Sequence, residues 1–138
     1  PYQKPRLPIW VGGEGTHAQR RAARYGDAWF PYFVRIAPQR LLDGFENVRR
    51  EAQTAGRNPD EVKLACCLPV ELTSADAPPI EEYLKGSVKQ VAERLRQFID
   101  VGVAHIGLQF MIPHYPERQE QIERFAEEAL PALKAYQR

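Results

Sequence analysis

Four times along the chain a short apolar run is followed by a longer stretch whose apolar residues recur three or four positions apart. The first pattern is that of a strand and the second that of an amphipathic helix. The opening run, Pro8-Ile9-Trp10-Val11, ends in Gly12-Gly13-Glu14-Gly15. A helix is predicted from Thr16 or His17 to about Tyr25, with Thr16 and Gln19 spaced as a capping box and Gly26 placed to stop it. Its Ala18, Ala22 and Ala23 let it lie close on a sheet. The second run, residues 27–33, is dense in aromatics, and a long helix follows from Pro38, a favourable first helical position, to Gly56. Leu41, Leu42, Phe45, Val48 and Ala52 make its apolar stripe; Gly44 inside it is a weak point of about 1 kcal/mol relative to Ala.

The third strand is predicted over residues 62–72. A connector, residues 73–86, then carries Pro78-Pro79 and one short helical turn at 80–84. Ser87 and Gln90 form a second capping box, opening a helix buried through Val91, Leu95, Phe98 and Ile99 and stopped by Gly102. The fourth strand is residues 104–111. The last helix is predicted from near Glu117, with Ile122, Phe125, Ala126 and Leu130 inward, and Pro131 interrupts it before a final turn.

Four strand-then-helix units argue for a parallel α/β sheet in one domain covering residues 1–138. Two architectures fit the pattern equally: a small open parallel sheet, or half of a TIM-type (β/α)8 barrel, which needs about 250 residues when whole.

The chemistry concentrates at the first strand-to-helix turn. Glycines let backbone approach a ligand closely, and a helix start presents unpaired N–H groups and a partial positive charge, which together suit a phosphate. Gly12, Gly13, Glu14, Gly15 and Thr16 are therefore the first candidate contacts, with His17 and Arg20 near enough to add positive charge. The plain alternative is a tight turn and nothing more. The spacing matches neither the dinucleotide fingerprint nor a nucleotide-triphosphate loop. In the fourth strand His105, Gly107 and Gln109 share one face and Ile106, Leu108 and Phe110 the other. With the apolar set on the helices, Gln109 faces inward near the strand's end, where it serves a ring or substrate or is simply a satisfied buried amide. His105 reads as structural, His114 as a solvated loop histidine with a catalytic alternative, and Trp10, Trp29 and Phe30 as core or barrel filling.

Composition removes other classes. The formal charge is +1 with no basic block, so neither nucleic acid nor a membrane surface is an expected partner. No apolar run approaches the ~20 residues of a membrane span. The only cysteines, Cys66 and Cys67, are adjacent, which suits two small buried thiols in a cytoplasmic protein better than a disulfide or a zinc site. The polar, proline-rich start without an initiator Met suggests a piece of something longer.

One family resemblance covers essentially the whole chain in order. It is carried by the segment from Lys4-Pro5-Arg6-Leu7-Pro8-Ile9-Trp10-Val11 through Gly12-Gly13, then by Arg20-Arg21-Ala22-Ala23-Arg24-Tyr25-Gly26-Asp27-Ala28-Trp29-Phe30-Pro31. Ala55-Gly56-Arg57-Asn58-Pro59, Gly86-Ser87-Val88, Gly102-Val103-Ala104-His105 and Phe125-Ala126-Glu127-Glu128-Ala129-Leu130-Pro131 continue it. The chain is similar to the carboxyl-terminal half of the luciferase-like monooxygenases, although Ala28 stands where glycine is common and Glu14-Gly15-Thr16 replaces an Asn/Ser-containing turn. The resemblance implies strands five to eight of a (β/α)8 barrel and a small-molecule oxidoreductase or monooxygenase using FMN or the 5-deazaflavin coenzyme. It also implies that most contacts to the redox ring and most proton-transfer residues belong to the absent amino-terminal half, so no catalytic residue is assigned and this part alone is expected to be inactive. A half barrel leaves strand edges and an inner face uncovered, so self-association, or pairing with the missing half, is expected.

Overall fold

The computed structural model describes residues 4, 6–32, 37–80 and 83–136. Its elements are β1 (Trp10–Gly12), α1 (Thr16–Tyr25), β2 (Ala28–Phe30), α2 (Pro38–Thr54), a single 3-10 turn (Pro59–Glu61), β3 (Lys63–Leu72), β4 (Leu84–Gly86), α3 (Val88–Asp100), β5 (Val103–Phe110), α4 (Tyr115–Glu128) and α5 (Leu130–Tyr136). Every strand pairing is parallel. β3 is the central rail: it pairs β2 at its start, β4 at its end and β5 along most of its length. Since β5 holds one edge of β3 throughout, β4 follows β2 along the other. The run β1-β2-β3-β5 with its helices is the four-unit α/β half barrel.

Alternation along β3 sorts the sheet into two faces. Leu64, Cys66, Leu68, Val70 and Leu72 belong to one hydrophobic cluster with Leu41, Phe45 and Val48 of α2, Val91, Leu95 and Phe98 of α3, Phe125 of α4 and Leu133 of α5. Ile106, Leu108 and Phe110 of β5 pack on the same cluster, so His105, Gly107 and Gln109 face the opposite, inner side. The cluster runs from α1 to α5 without a break.

Local signals explain most boundaries. Pro38 opens α2, and the Ser87 hydroxyl accepts from the Gln90 amide while the Gln90 side chain accepts from the Ser87 amide, the predicted capping box. Other expectations need correction. The capping box at Thr16 is absent: α1 is headed by Gly15 without a side-chain cap, and Gln19 reaches elsewhere. The connector carries β4 rather than a helical turn at its described residues Ile80, Tyr83 and Leu84, because Lys85 pairs with Glu71 in the sheet; residues 81–82 lie outside the described residues. The second strand is three residues long, and Phe33 lies outside the described residues. α4 starts at Tyr115, its first turn accommodating Pro116, and Pro131 does interrupt it, but a further helix, α5, follows instead of a turn. Ile122 and Ala126 are exposed, not inward; Phe125 alone in α4 is buried. Gly44 is more than a weak point in the helix. A Cβ there would lie 2.6 Å from the Trp29 ring, so the missing side chain is what lets α2 sit on that indole.

Candidate functional site

The turn after β1 is held at several points. Gly13 has φ +102°, and a Cβ on it would come within 3.0 Å of the Ala18 methyl, so glycine is required there on two counts. Its carbonyl accepts from the Trp29 indole N–H at 2.8 Å, and the Glu14 carbonyl accepts from the Gln19 side-chain amide at 3.0 Å. Gln19 is itself buried, and its oxygen accepts from Asn47 of α2 at 2.6 Å. Two consecutive carbonyls are thus drawn back into the protein. The amides that head α1 then receive no side-chain cap. The Ala18 amide bonds the Gly15 carbonyl at 2.9 Å, while helix geometry leaves the Thr16 and His17 amides without intrahelical partners, and the dipole adds positive potential at the same point.

Sequence reasoning missed the supports of this turn. Trp29, Gln19, Gly44 and Asn47 form one unit, in which the space left by Gly44 admits the Trp29 ring beside the Gln19 amide. The signal was present as a glycine and an asparagine inside an otherwise strong helix. Asp27 was also missed. Its carboxylate accepts from the Ile9 amide at 2.6 Å and from both terminal nitrogens of Arg6, fastening the lead into β1 against β2. The Arg6 hydrogen bond, followed by that of the Ile9 amide, holds Asp27 below the usual carboxylate range.

The other predicted residues are dispersed. Gly12, Gly13, Glu14, Gly15 and Thr16 lie together in the turn and are exposed. His17 is exposed on the first turn of α1. Arg20 is engaged elsewhere, its Nε lying 3.3 Å from Glu51 of α2. Gln109 stands opposite Pro69 on the inner face, and its side-chain oxygen is buried without a hydrogen-bond donor among the described residues. It is therefore not the satisfied amide that the plainer expectation supposed. His114 precedes α4 and caps nothing with its side chain. His105 stacks on Trp10 at 5.2 Å between ring centres; Trp10 also meets Phe30 at 5.4 Å. Trp29 is core, whereas Trp10 belongs to the inner face.

A second polar cluster, unforeseen, closes the end of β3. Glu71, half-buried, receives the Lys85 ammonium at 2.8 Å and the Tyr83 hydroxyl at 2.9 Å. The Lys85 bond and then that of Tyr83 keep its carboxyl below the ordinary range, while Glu71 raises both partners. At neutral pH the pair is a fixed ion pair and fastens β4 to the sheet. Burial pushes the Cys66 thiol up to about 12 and raises Cys67, so neither is a thiolate at neutral pH. Among the described residues no helix is long and apolar enough to cross a membrane.

Parallel strands with helices on one face, and a glycine turn with an uncapped helix at their carboxyl ends, define four units of a (β/α)8-barrel protein. The chain belongs to the luciferase-like monooxygenase family, whose model matches residues 1–85. It is 27% identical over 136 residues to a phthiodiolone/phenolphthiodiolone dimycocerosates ketoreductase from Mycobacterium sp. (strain JLS), covering 91% of this chain and 35% of that one. Among solved structures, it resembles the coenzyme F420-dependent tetrahydromethanopterin reductase from Methanopyrus kandleri with a TM-score of 0.73 at 13% identity, covering 92% of this chain and 51% of that. A riboflavin lyase solved with a modified FMN and riboflavin gives a TM-score of 0.69 at 14% identity, covering 91% of this chain and 42% of that. The chain therefore spans about a third of that relative's length and about half of the solved structures'.

Proposed function

We propose that this chain is the carboxyl-terminal part of a cytoplasmic flavin- or deazaflavin-dependent oxidoreductase acting on a small molecule, and that its turn Gly12–Thr16 holds the cofactor's phosphate. One observation carries the proposal: Trp29 and Gln19 pull the carbonyls of Gly13 and Glu14 inward while the start of α1 is left uncapped. A phosphate is the ligand such a turn suits, because backbone donors and the helix dipole supply the positive potential without a side chain. Glu14 is exposed, so solvent and salt screen the repulsion between its carboxylate and a phosphate. Arg20, paired with Glu51, contributes less than the sequence suggested, which leaves His17, exposed on the first turn of α1, as the remaining side chain among these candidates. The bound cofactor would supply hydride transfer or oxygen activation. This chain's own share is to bind and orient it; no residue here is assigned to the chemistry, and activity is expected only from a complete barrel.

Gly15 provides the test, since nothing lies within 4 Å of a Cβ built there. Gly15→Asp supplies a capping side chain and a negative charge where the phosphate would sit, at a stability change of a few tenths of a kcal/mol. Fluorescence titrations are made with FMN and riboflavin, and with F420 and its phosphate-free core. The phosphorylated form of the cofactor used is expected to bind more tightly. Gly15→Asp is expected to weaken that form at least about tenfold, corresponding to ~1.4 kcal/mol, and to leave the phosphate-free form unchanged. Equal binding of the two forms would remove the phosphate assignment, and binding of neither would remove the cofactor reading for this chain.

A further inference from the structure

The connector that leaves β3 is strapped onto α3. The Gln90 side-chain amide accepts from the Ala77 amide at 2.9 Å and donates to the Ala77 carbonyl at 3.1 Å. Arg94 donates to the carbonyls of Ile80 and Tyr83 at 3.3 and 3.4 Å. Beside these fastenings a cleft of about 400 Å³ stays open, and its charged walls are Asp76 of the connector, Lys85 of β4, and Lys89, Glu93 and Arg94 of α3. The cleft follows β3 as the turn Gly12–Thr16 follows β1. Because the strands are parallel, both lie at the carboxyl end of the sheet, where barrel ligands bind.

The charges around this cleft do not cancel. Glu71 neutralises Lys85 at 2.8 Å, and Arg96 neutralises Glu93 at 3.0 Å. Asp76 accepts from the Ser87 hydroxyl, which brings it no positive charge, and the carbonyls that hold Arg94 leave its charge intact. Lys89 is exposed and makes no side-chain bond among the described residues. Among those residues two cations, Lys89 and Arg94, therefore face one acid, Asp76. The excess is local, since the formal charge of the whole chain is only +1. The Gln90 oxygen is already shared between the Ala77 and Ser87 amides, so recognition here rests on charge.

We propose that this cleft receives an anionic group of the small-molecule substrate, a carboxylate or a phosphate, through Lys89 and Arg94. FMN brings a single phosphate, which the turn Gly12–Thr16 would take, so a second anion site at the same end of the sheet serves the other reactant. Assigning that anion to the substrate rests on the oxidoreductase reading; the binding of an anion here does not.

Equilibrium dialysis of the full-length protein against radiolabelled inorganic phosphate tests it. A Gly15→Asp background silences the turn, so the cleft is read alone, and phosphate is expected to bind there. Lys89→Glu should weaken that binding about tenfold and Asp76→Asn should tighten it about threefold, opposite signs that a loss of fold would not produce. Asparagine keeps an acceptor for Ser87 and Lys89 holds nothing in place, so both variants should fold. Arg40→Glu, exposed on α2, should change nothing. On wild-type protein saturated with FMN or F420, the phosphate in the cleft should remain bound. Absence of phosphate binding in the Gly15→Asp background, or binding indifferent to Lys89→Glu and Asp76→Asn, would overturn the proposal. Displacement of that phosphate by either cofactor would give the cleft to the cofactor and overturn the substrate assignment. Failure of the cofactor reading looks different: neither cofactor saturates the protein, and phosphate binding in the Gly15→Asp background stays as it was.

Discussion

The two faces of the sheet are built from the same strands and live under opposite conditions. On β3, Cys66 points into the helix-covered layer and is fully buried; Cys67, its neighbour, belongs to the inner side and lies beside Gly107. The helix side is a closed layer of interlocking aliphatic residues, Leu64, Leu68 and Val70 among them, each at most 1% exposed. The inner side holds Trp10, Phe30 and His105 in a loose aromatic group open to solvent. One face is a completed core and the other is half of one. Stability of the isolated chain should therefore reside in the first, and ligand and partner contacts in the second.

The sharpest way to break this contrast is to delete side chains from both faces. Leu68→Ala removes packing from the closed layer and should cost about 2–5 kcal/mol. Trp10→Ala, although it removes a larger side chain, should cost the chain about 1 kcal/mol, the scale of a lost aromatic pair. Urea unfolding monitored by circular dichroism measures both, at concentrations below any self-association. Equal losses would mean that the inner face is as finished as the outer.

A smaller effect is expected at the joint between the helix layer and the turn. Gly44→Ala raises helix propensity by about 1 kcal/mol, yet its methyl would meet the Trp29 ring. Overpacking should win, for a net destabilisation of about 1–2 kcal/mol. The same variant should loosen the bond from Trp29 to the Gly13 carbonyl, visible as faster amide exchange at residues 13–16. Stabilisation by Gly44→Ala would show that the close approach has no energetic role.

The mildest prediction concerns pH. Asp27 and Glu71 both lie below the ordinary carboxylate range in the folded protein, Asp27 chiefly through Arg6 and Glu71 chiefly through Lys85. A carboxyl depressed by folding stabilises the native state above its unfolded pKa, and that contribution is lost as the pH falls through its folded value. Urea midpoints should therefore be flat near neutrality and fall in the acid range. Asp27→Asn should lower the midpoint near neutrality and make the acid fall shallower. Both partners of the Arg6–Asp27 pair are partly exposed, so the effect is modest and should shrink further in salt. An unchanged acid limb in Asp27→Asn would assign the whole acid response to other groups.

The alternation of runs and stripes was enough to place the four principal strands and their helices, because strand and helix periods are local properties of backbone geometry. It also placed the Ser87–Gln90 capping box, whose partners are three residues apart. Thr16–Gln19 has the same spacing and forms no such box, because Gln19 finds the Glu14 carbonyl and Asn47 instead. Asn47 is 28 residues away in sequence, and nothing local distinguishes the two cases. β4 was missed for a similar reason: three residues acquire strand character only beside the end of β3, with Lys85 drawn to Glu71.

What the sequence by itself determined is the βα repeat, the family and the position of a glycine turn at the end of a strand. Each of these is written in residue types at short spacing. Only the tertiary structure decided that Gly44 is a contact and not merely a defect, that Trp29 is core while Trp10 is not, and that Arg20 is engaged by Glu51. It alone decided which carbonyls of the turn face inward. Apart from the local bond between Gln19 and the Glu14 carbonyl, those outcomes depend on groups 15 to 31 residues apart meeting through the sheet and across α2. Proximity of that kind is created by packing, and it has no periodic trace in the chain.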